Sequence, residues 1–164
     1  MKKIILLMML CFISMGASAQ DHLKFMNIPI SGSLDDFAKK LEAKGFEPYQ
    51  VEDDFISLTG PYAGYNNCFV YIYTRYSIVY NIEVYFAYVD DVHSAYNDLR
   101  RRLGLKYGAP SHVDDNTNGD GSYRTSFYLP AGEIRLTIED NNLDLNYYDT
   151  NSYNAAIGVA TSDL

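Results

Sequence analysis

The densest run of apolar residues along the chain is the stretch 68–88, CFVYIYTRYSIVYNIEVYFAY. Val, Ile, Tyr and Phe fill both of its halves, and a short polar break at 74–77 separates them. Residues of these types favour strands, and a short polar break between two such runs is typical of a hairpin. The pattern predicts two neighbouring β-strands joined by a turn, around which the rest of the chain is arranged.

Side chains point alternately to the two faces of each predicted strand. The mostly aliphatic set, which we expect to face the core, consists of Cys68, Val70, Ile72, Tyr80, Ile82, Val84 and Phe86. The other set mixes aromatic and polar side chains and consists of Phe69, Tyr71, Tyr73, Asn81, Glu83 and Tyr85. Its composition suits a sheet face that water or a partner can reach.

A first helix is predicted to follow Ser33, because Asp36 three residues later completes a capping box. Its apolar stripe consists of Leu34, Phe37, Ala38 and Leu41. Gly45 is the expected C-terminal cap, and Pro48 prevents the helix from continuing.

A second helix is predicted to begin after the acidic pair at 90–91, which caps its first turn. Its apolar residues recur at helical spacing and are Val92, Ala95, Leu99 and Leu103. Gly108 and Pro110 end it. The Arg run at 100–102 lies on this helix and is interpreted as a solvated face.

Other segments are read from alternation and turn residues. An opening strand is expected at 23–30, short strands at 49–51 and 55–59, a polar loop at 111–122, and then three strands with hairpin turns at 130–132 and 140–142. The outward-facing side chains of those last strands are Arg124, Ser126, Tyr128, Glu133, Arg135, Thr137, Glu139, Asp144, Asn146 and Tyr148.

The order helix, strands, helix, strands, with a Gly-then-Pro stop after each helix, indicates one α+β domain. We expect one antiparallel sheet with both helices on one face. The two stops lie about sixty residues apart in the chain, which favours a diverged tandem repeat of an α-β-β-β unit.

The first nineteen residues match a secretory signal peptide. A basic start at 2–3 precedes an apolar run at 4–13 that is too short to span a bilayer stably, and 17–19 reads Ala-Ser-Ala. We expect cleavage after Ala19, a mature domain of residues 20–164, and export to the periplasm or cell envelope. A short membrane anchor is the alternative. A lipoprotein is not expected, because the residue before Cys11 is Leu10 and a lipid-attachment site requires a small residue there.

The net charge of the chain argues against two classes of partner, nucleic acids and anionic lipid surfaces. Loss of residues 1–19 removes two lysines and no acid, so the formal net charge changes from −8 to −10. An acidic chain of this kind argues against nucleic acid and anionic lipid surfaces. No later segment is apolar enough for stable membrane insertion. Cys68 is the single cysteine of the mature chain and is predicted to be a buried hydrophobe.

The composition contains sixteen Tyr and no Trp. Tyr offers a large, stiff contact area with a polar tip, which binding surfaces favour. The candidate binding residues on outward alternates are Phe69, Tyr71, Tyr73, Tyr85, Tyr128, Arg135 and Tyr148. They suit a protein, peptide or glycan partner. The alternatives are that β-propensity alone recruits Tyr, or that a second chain covers this face.

A calcium loop is a weaker hypothesis. Residues 114, 116, 118 and 119 match positions 1, 3, 5 and 6 of the EF-hand pattern, but position 12 is Thr125 and a strand follows. The candidate ligands are Asp114, Asn116, Asn118 and Asp120. An ordinary turn-rich loop explains the same residues. No other cofactor is predicted.

No motif specifies a reaction. His22, His93 and His112 show neither a Ser-His-Asp order nor H-E-x-x-H spacing, and Cys68 has no histidine near it in sequence. The sequence favours a non-catalytic binding or inhibitor-like module. The alternatives are an enzyme of unrecognised type, or a structural subunit that self-associates as a homo-oligomer.

The mature opening HLKFMNIPISGSLDDFAKKLEAKGF resembles that of a family of small exported Bacteroidetes proteins. The L-x-G-x-x-A-G-Y-N-x-C stretch at 58–68, the KYGAP stop at 106–110 and the final SDL share that resemblance. It implies a cell-envelope location and transfers no activity residue by residue. The helix and strand order is also similar to β-lactamase-inhibitor-like and PepSY-like domains, and that likeness concerns architecture alone.

Overall fold

The computed structural model describes residues 21–52, 55–116, 119 and 121–162. Over these residues the helices are α1 (Leu34–Glu42), α2 (Val92–Tyr107) and α3 (Thr150–Ser162). The strands are β1 (Lys24–Phe25), β2 (Ile28–Pro29), β3 (Glu47–Val51), β4 (Phe55–Tyr62), β5 (Tyr65–Arg75), β6 (Ile78–Phe86), β7 (His112–Asp115), β8 (Tyr123–Leu129), β9 (Gly132–Glu139) and β10 (Asn142–Asp149). The predicted signal segment and its cleavage position lie outside the described residues.

Strands β3 to β10 form one antiparallel sheet in the order β3-β4-β5-β6-β10-β9-β8-β7. The helices pack on one face of it. The predicted α+β class, the antiparallel sheet and the placement of α1 and α2 are therefore confirmed. For the segment from Thr150 the sequence left open a short helix or an extended end, and the structure has a helix there, α3.

The strand count differs from the predicted unit. Four strands follow α1, as the segments 49–51, 55–59 and 68–88 predicted, and four follow α2, where the sequence predicted three. Each half therefore has one strand more than the predicted α-β-β-β unit. The additional strand after α2 is β7, which pairs with β8 through Val113 opposite Thr125 and Asp114 opposite Arg124. The prediction of a polar loop over all of 111–122 is therefore wrong for 112–115, because pairing with a neighbour outweighs the low strand propensity of aspartate. The tandem repeat itself stays a prediction.

The opening segment is a small hairpin and not the single strand predicted for 23–30. Phe25 pairs with Ile28, and the two residues between them, Met26 and Asn27, have φ of 49° and 66°. Positive φ at both central residues is the signature of a type I′ turn, which matches the twist of the flanking strands.

The predicted N-caps at Ser33 and Asp91 are confirmed. Ser33 Oγ accepts a hydrogen bond from the Asp36 backbone N–H at 3.3 Å, and Asp91 Oδ1 accepts from that of Ser94 at 2.9 Å. Gly45 follows α1 with φ of 92°, a left-handed conformation that glycine adopts without steric cost.

The core lies between the sheet and the helices. Its fully buried side chains include Phe37, Leu41, Cys68, Val70, Ile72, Ile82, Val84, Tyr96, Ile134 and Leu136. These include most of the aliphatic alternate set that was predicted to face inward, and Cys68 is buried as expected.

Tyr80 is the exception to the predicted core set. Val79 is buried in its place, because the pairing register shifts after Tyr73 opposite Asn81 and resumes at Thr74 opposite Val79. The extra residue resets the alternation of β6 at this point. In the described part of the chain, no helix is both long and apolar enough to cross a membrane.

Candidate functional site: the open face of the sheet

The open face is the surface of the sheet opposite α1 and α2. Direct cross-strand neighbours share a face, so the register identifies its members. One row of neighbours runs Tyr71, Glu83, Asn146, Arg135. The rows beside it run Phe69, Tyr85, Asp144, Thr137, Arg124 and Tyr73, Asn81, Tyr148, Glu133, Tyr128. All candidate binding residues predicted from the sequence therefore lie on one face.

Aromatic rings cover the β3–β6 side of this face. The aromatic half, as we define it, consists of Tyr49, Phe55, Phe69, Tyr71, Tyr73 and Tyr85. Ring centroids are 5.1 Å apart for Tyr49 and Phe69, and 6.5 Å apart for the stacked pair Tyr71 and Tyr73. These side chains are exposed or partly exposed. Mutual ring contacts hold them in place while leaving contact area open to solvent.

Two phenol groups in the aromatic half, those of Tyr73 and Tyr85, are hydrogen-bonded. Tyr73 Oη donates to Glu83 Oε2 at 3.2 Å, and Tyr85 Oη donates to Asn142 Oδ1 at 3.0 Å. Burial, and then the charge of Glu83, raises the pKa of Tyr73 to about 12. Tyr73 therefore remains neutral at physiological pH, and it offers a ring and no charge.

A polar hollow lies on the β6–β8 side of the open face. Its volume is about 440 Å³. The residues that line it are Asn81, Glu83, Arg124, Glu133, Arg135, Thr137, Glu139, Asp144, Asn146 and Tyr148. The open face is thus divided into an aromatic half and a charged hollow that meet along β6.

The cation of Arg135 is paired within the hollow. Its guanidinium donates two hydrogen bonds to the Glu133 carboxylate, at 2.9 and 2.7 Å, and Ser126 Oγ donates to the same group at 2.9 Å. Burial pushes the pKa of Glu133 upward, but the bonds from Arg135 and Ser126 outweigh it and hold that pKa below its ordinary value. The positive charge of Arg135 is therefore neutralised by the Glu133 carboxylate.

Three other carboxylates of the hollow lack such a partner. Among the described residues, Glu83, Asp144 and Glu139 form no ion pair. Burial, and then the charges of Glu83 and Glu139, raises the pKa of the Asp144 carboxyl to about 6. We call these three residues the carboxylate trio. The sequence placed each of them on an outward alternate but did not show that they are neighbours.

Two candidate residues lie toward the ends of the open face. Tyr128 on β8 is exposed. The ring of Tyr148 lies 5.8 Å from that of Tyr80 and 5.6 Å from that of Tyr153 on α3. These contacts place Tyr148 in a ring cluster with the last helix, apart from the aromatic half.

The candidate calcium ligands are only partly described. Asp114 lies at the end of β7, and Asn116 Oδ1 accepts a hydrogen bond from the Gly121 backbone N–H at 2.7 Å. That bond is the ordinary turn role of an asparagine. Asn118 and Asp120 lie outside the described residues. Within the described ranges, no group of three His, Cys, Asp or Glu side chains is arranged to hold a metal, and the calcium loop stays a prediction.

The fold also brings together a serine, a histidine and an aspartate, Ser152, His22 and Asp149. The sequence did not predict this group, because His22 lies far from the other two residues in the chain. Ser152 Oγ lies 3.2 Å and Asp149 Oδ1 3.1 Å from His22 Nδ1. A catalytic triad needs the serine and the aspartate at opposite ring nitrogens, whereas both contact the same one here. Ser152 Oγ is also buried and donates to the Ile30 carbonyl at 2.6 Å. The group ties the N-terminal segment to α3 and has no free nucleophile.

Comparison with known proteins gives no relative: the chain matches no protein-family model, no curated protein and no solved structure. The resemblance to exported Bacteroidetes proteins stays a prediction, and function has to be inferred from the open face itself.

Proposed function

We propose that this chain is an exported binding module of the cell envelope, without catalytic activity of its own, that holds a peptide segment of a partner protein on its open face. The observation that supports this most directly is the aromatic half, a contiguous set of partly exposed rings beside a hollow of about 440 Å³. The single antiparallel sheet presents both on one surface.

Rigid rings favour binding for an energetic reason. A binding surface must outweigh the entropy lost when mobile side chains become ordered, at about 0.5–1.5 kcal/mol for each flexible one. Contacts such as Phe69 with Tyr85, at 6.4 Å between centroids, already restrict these rings in the free protein. Little further ordering is needed when a partner packs against them.

An enzyme is a second candidate because of one feature of the hollow. Perturbed carboxyl groups in a cleft are typical of acid–base catalysis, and Asp144, beside Glu83 and Glu139, has a raised pKa. The two candidates differ in the fate of the ligand. A binding module returns its bound peptide with unchanged mass after long incubation, whereas a hydrolase returns fragments.

The proposal is tested by capture from envelope extract. The mature protein is compared with a Tyr71→Ala, Tyr73→Ala, Tyr85→Ala variant and with a control, Tyr76→Ala, Leu105→Ala. The control removes exposed apolar side chains from the β5–β6 turn and from α2, away from the aromatic half. Circular dichroism verifies that each variant is folded, and single variants at Tyr71 and Tyr85 replace the triple one if it is not.

We expect the mature protein and the control to retain the same partner and the open-face variant to lose it. Retention by all three contradicts the proposal. Capture that survives protease treatment of the extract indicates a glycan in place of a peptide. A partner identified as this same chain indicates self-association, for which a two-fold contact should bury about 1,000 Å² or more.

A further inference from the structure

The carboxylate trio runs diagonally across three adjacent strands. Asp144 on β10 lies opposite Tyr85 on β6 and Thr137 on β9. Glu83 is two residues from Tyr85 along β6, and Glu139 is two residues from Thr137 along β9. Neighbouring strands are about 4.8 Å apart. The three acidic side chains therefore share one face and line the same hollow.

Three other acids of the described chain form ion pairs with arginine side chains, which the trio does not. Glu133 has Arg135, Asp115 has Arg100, and Asp98 has both Arg101 and Arg102. Like charges brought together and partly removed from water oppose each other's ionisation. A cation that enters the hollow would reverse this effect, because each carboxylate would then face an opposite charge.

Aromatic rings flank the trio on the β5 and β6 side. Tyr71 lies directly opposite Glu83, and Tyr85 directly opposite Asp144. Lysine and arginine side chains bind where ring faces and carboxylates adjoin, through cation–π contact and charge-assisted hydrogen bonds. Asn81, which also lines the hollow, has a buried side-chain Oδ1 without a hydrogen-bond partner among the described residues. Because that oxygen is buried, the acceptor that β6 offers to a ligand in the hollow is the Glu83 carboxylate.

We propose that the peptide held on the open face inserts a lysine or arginine side chain into the hollow, between the carboxylates of Glu83 and Asp144 and the rings of Tyr71 and Tyr85. This inference rests on the proposed function and specifies the chemistry of its ligand. A neutral or acidic segment at the same place would leave the carboxylates unpaired and further desolvated, which opposes binding. The negative charge of the whole chain also attracts a basic segment from a distance.

Binding of such a peptide depends on pH. The titratable groups near Asp144 are Glu83 and Tyr85 from β6, Glu139 from β9, and Tyr71 from β5. Two arginines line the same hollow, Arg135 on β9, which is paired with Glu133, and Arg124 on β8. The pKa of Asp144 is about 6, so this carboxyl is ionised at pH 7.5 and largely protonated at pH 5. Affinity for the cationic side chain therefore falls as the pH is lowered through that range.

The test is a titration of the isotope-labelled mature protein with N-acetylated, C-amidated hexa-arginine, followed by amide chemical shifts. Hexa-citrulline, which keeps the side-chain shape and lacks the charge, is the matched ligand. The open-face variant is Glu83→Gln, Asp144→Asn. The matched control is Asp35→Asn, Glu42→Gln, which removes the same formal charge from α1 on the other side of the sheet.

We expect hexa-arginine to shift amides of β6, β9 and β10, and hexa-citrulline to shift none. In the open-face variant Kd should rise about tenfold or more, which corresponds to about 1.4 kcal/mol. In the control Kd should change less than about twofold, the small effect of distant, screened charge. All substitutions are isosteric amides, and the spectrum of each free variant shows that it is folded.

Equal weakening in the control, shifts spread over α1, or no binding of hexa-arginine each overturns the inference. These results leave the proposed function intact as long as loss of Tyr71, Tyr73 and Tyr85 still abolishes capture of the partner. If that capture survives while hexa-arginine binds at the trio, the hollow is a cation site and the peptide-binding role of the aromatic half is wrong.

Discussion

Single residues on the open face carry polar groups that the fold leaves uncompensated. Within the described residues, Ser57 Oγ and Asn81 Oδ1 are buried without hydrogen-bond partners, and Asp144 forms no ion pair. A buried polar atom without a partner costs about 1–3 kcal/mol. The open face is therefore less stable than its packing alone would make it, which is common where a surface serves a ligand.

The pH dependence of stability tests the position of Asp144. Its pKa in the folded protein is about 6, above the ordinary 3.8, so the folded state binds the proton more tightly and stability falls as pH rises through this window. The amide introduced by Asp144→Asn cannot ionise. We expect this variant to match the wild type near pH 4 and to have a free energy of unfolding about 1 kcal/mol higher near pH 7.5, after allowance for solvent screening.

Urea denaturation at both pH values measures this difference. If Asp144→Asn changes the free energy of unfolding equally at pH 4 and pH 7.5, Asp144 does not titrate between these pH values. A variant less stable than the wild type near pH 7.5 would contradict the raised pKa of Asp144.

Replacing either of two serines of the open face by alanine should change the free energy of unfolding, in opposite directions for the two. Ser57 and Ser126 are both buried, but of the two only Ser126 has a side-chain hydrogen-bond partner among the described residues, Glu133. We expect Ser57→Ala to raise the free energy of unfolding by about 0.5–1 kcal/mol and Ser126→Ala to lower it by about 1 kcal/mol. Thermal and urea denaturation measure both, and a loss of stability in Ser57→Ala would mean that its hydroxyl has a partner after all.

At the level of elements, the sequence predicted the features that depend on residues close together in the chain, namely helix caps and strand alternation. The caps at Ser33 and Asp91 depend on residues three positions away, and the alternation of β5, β9 and β10 depends on each strand alone. The bulge at Tyr80 could not be predicted, because it arises where two strands pair. The strand β7 was missed for the same reason, since its Asp114 and Asp115 favour loops until β8 pairs with them.

Helix α3 depends on one buried carboxylate. Asp149 accepts from the Ser152 backbone N–H at 2.7 Å, as an N-cap does, and also from that of Leu23 at 2.6 Å. Among the described residues, Asp91, the exposed N-cap of α2, accepts only the N-cap bond, from the Ser94 backbone N–H. We expect Asp149→Ala to lower the free energy of unfolding by about 3 kcal/mol, against about 1 kcal/mol for Asp91→Ala.

Urea denaturation gives these two values. Hydrogen exchange supplies a second readout, because loss of Asp149 should speed exchange at Leu23 and in the β1–β2 hairpin while loss of Asp91 should not. Equal effects of the two substitutions on both readouts would mean that Asp149 is only a cap.

The arrangement of the whole molecule decides which outward residues become neighbours. The α+β class followed from helical and strand periods, but the pairing of β6 with β10 joins segments some sixty residues apart, and no local pattern specifies it. That pairing sets Asp144 beside Glu83 and Tyr85. For this reason four members of the aromatic half, Phe69, Tyr71, Tyr73 and Tyr85, were predicted from alternation. Tyr49, Phe55 and the grouping of the carboxylate trio were not.

Site-specific photocrosslinking in the native cell envelope tests the central claim most directly. The crosslinker p-benzoylphenylalanine replaces Tyr71 or Tyr85 on the open face, and Leu105, exposed on α2, as the control. We predict that both open-face positions crosslink to the same partner, with the attached peptide rich in lysine or arginine, and that Leu105 does not. Crosslinking of that partner from Leu105, with none from Tyr71 and Tyr85, would show that the helical side of the molecule is the binding surface and would contradict the claim.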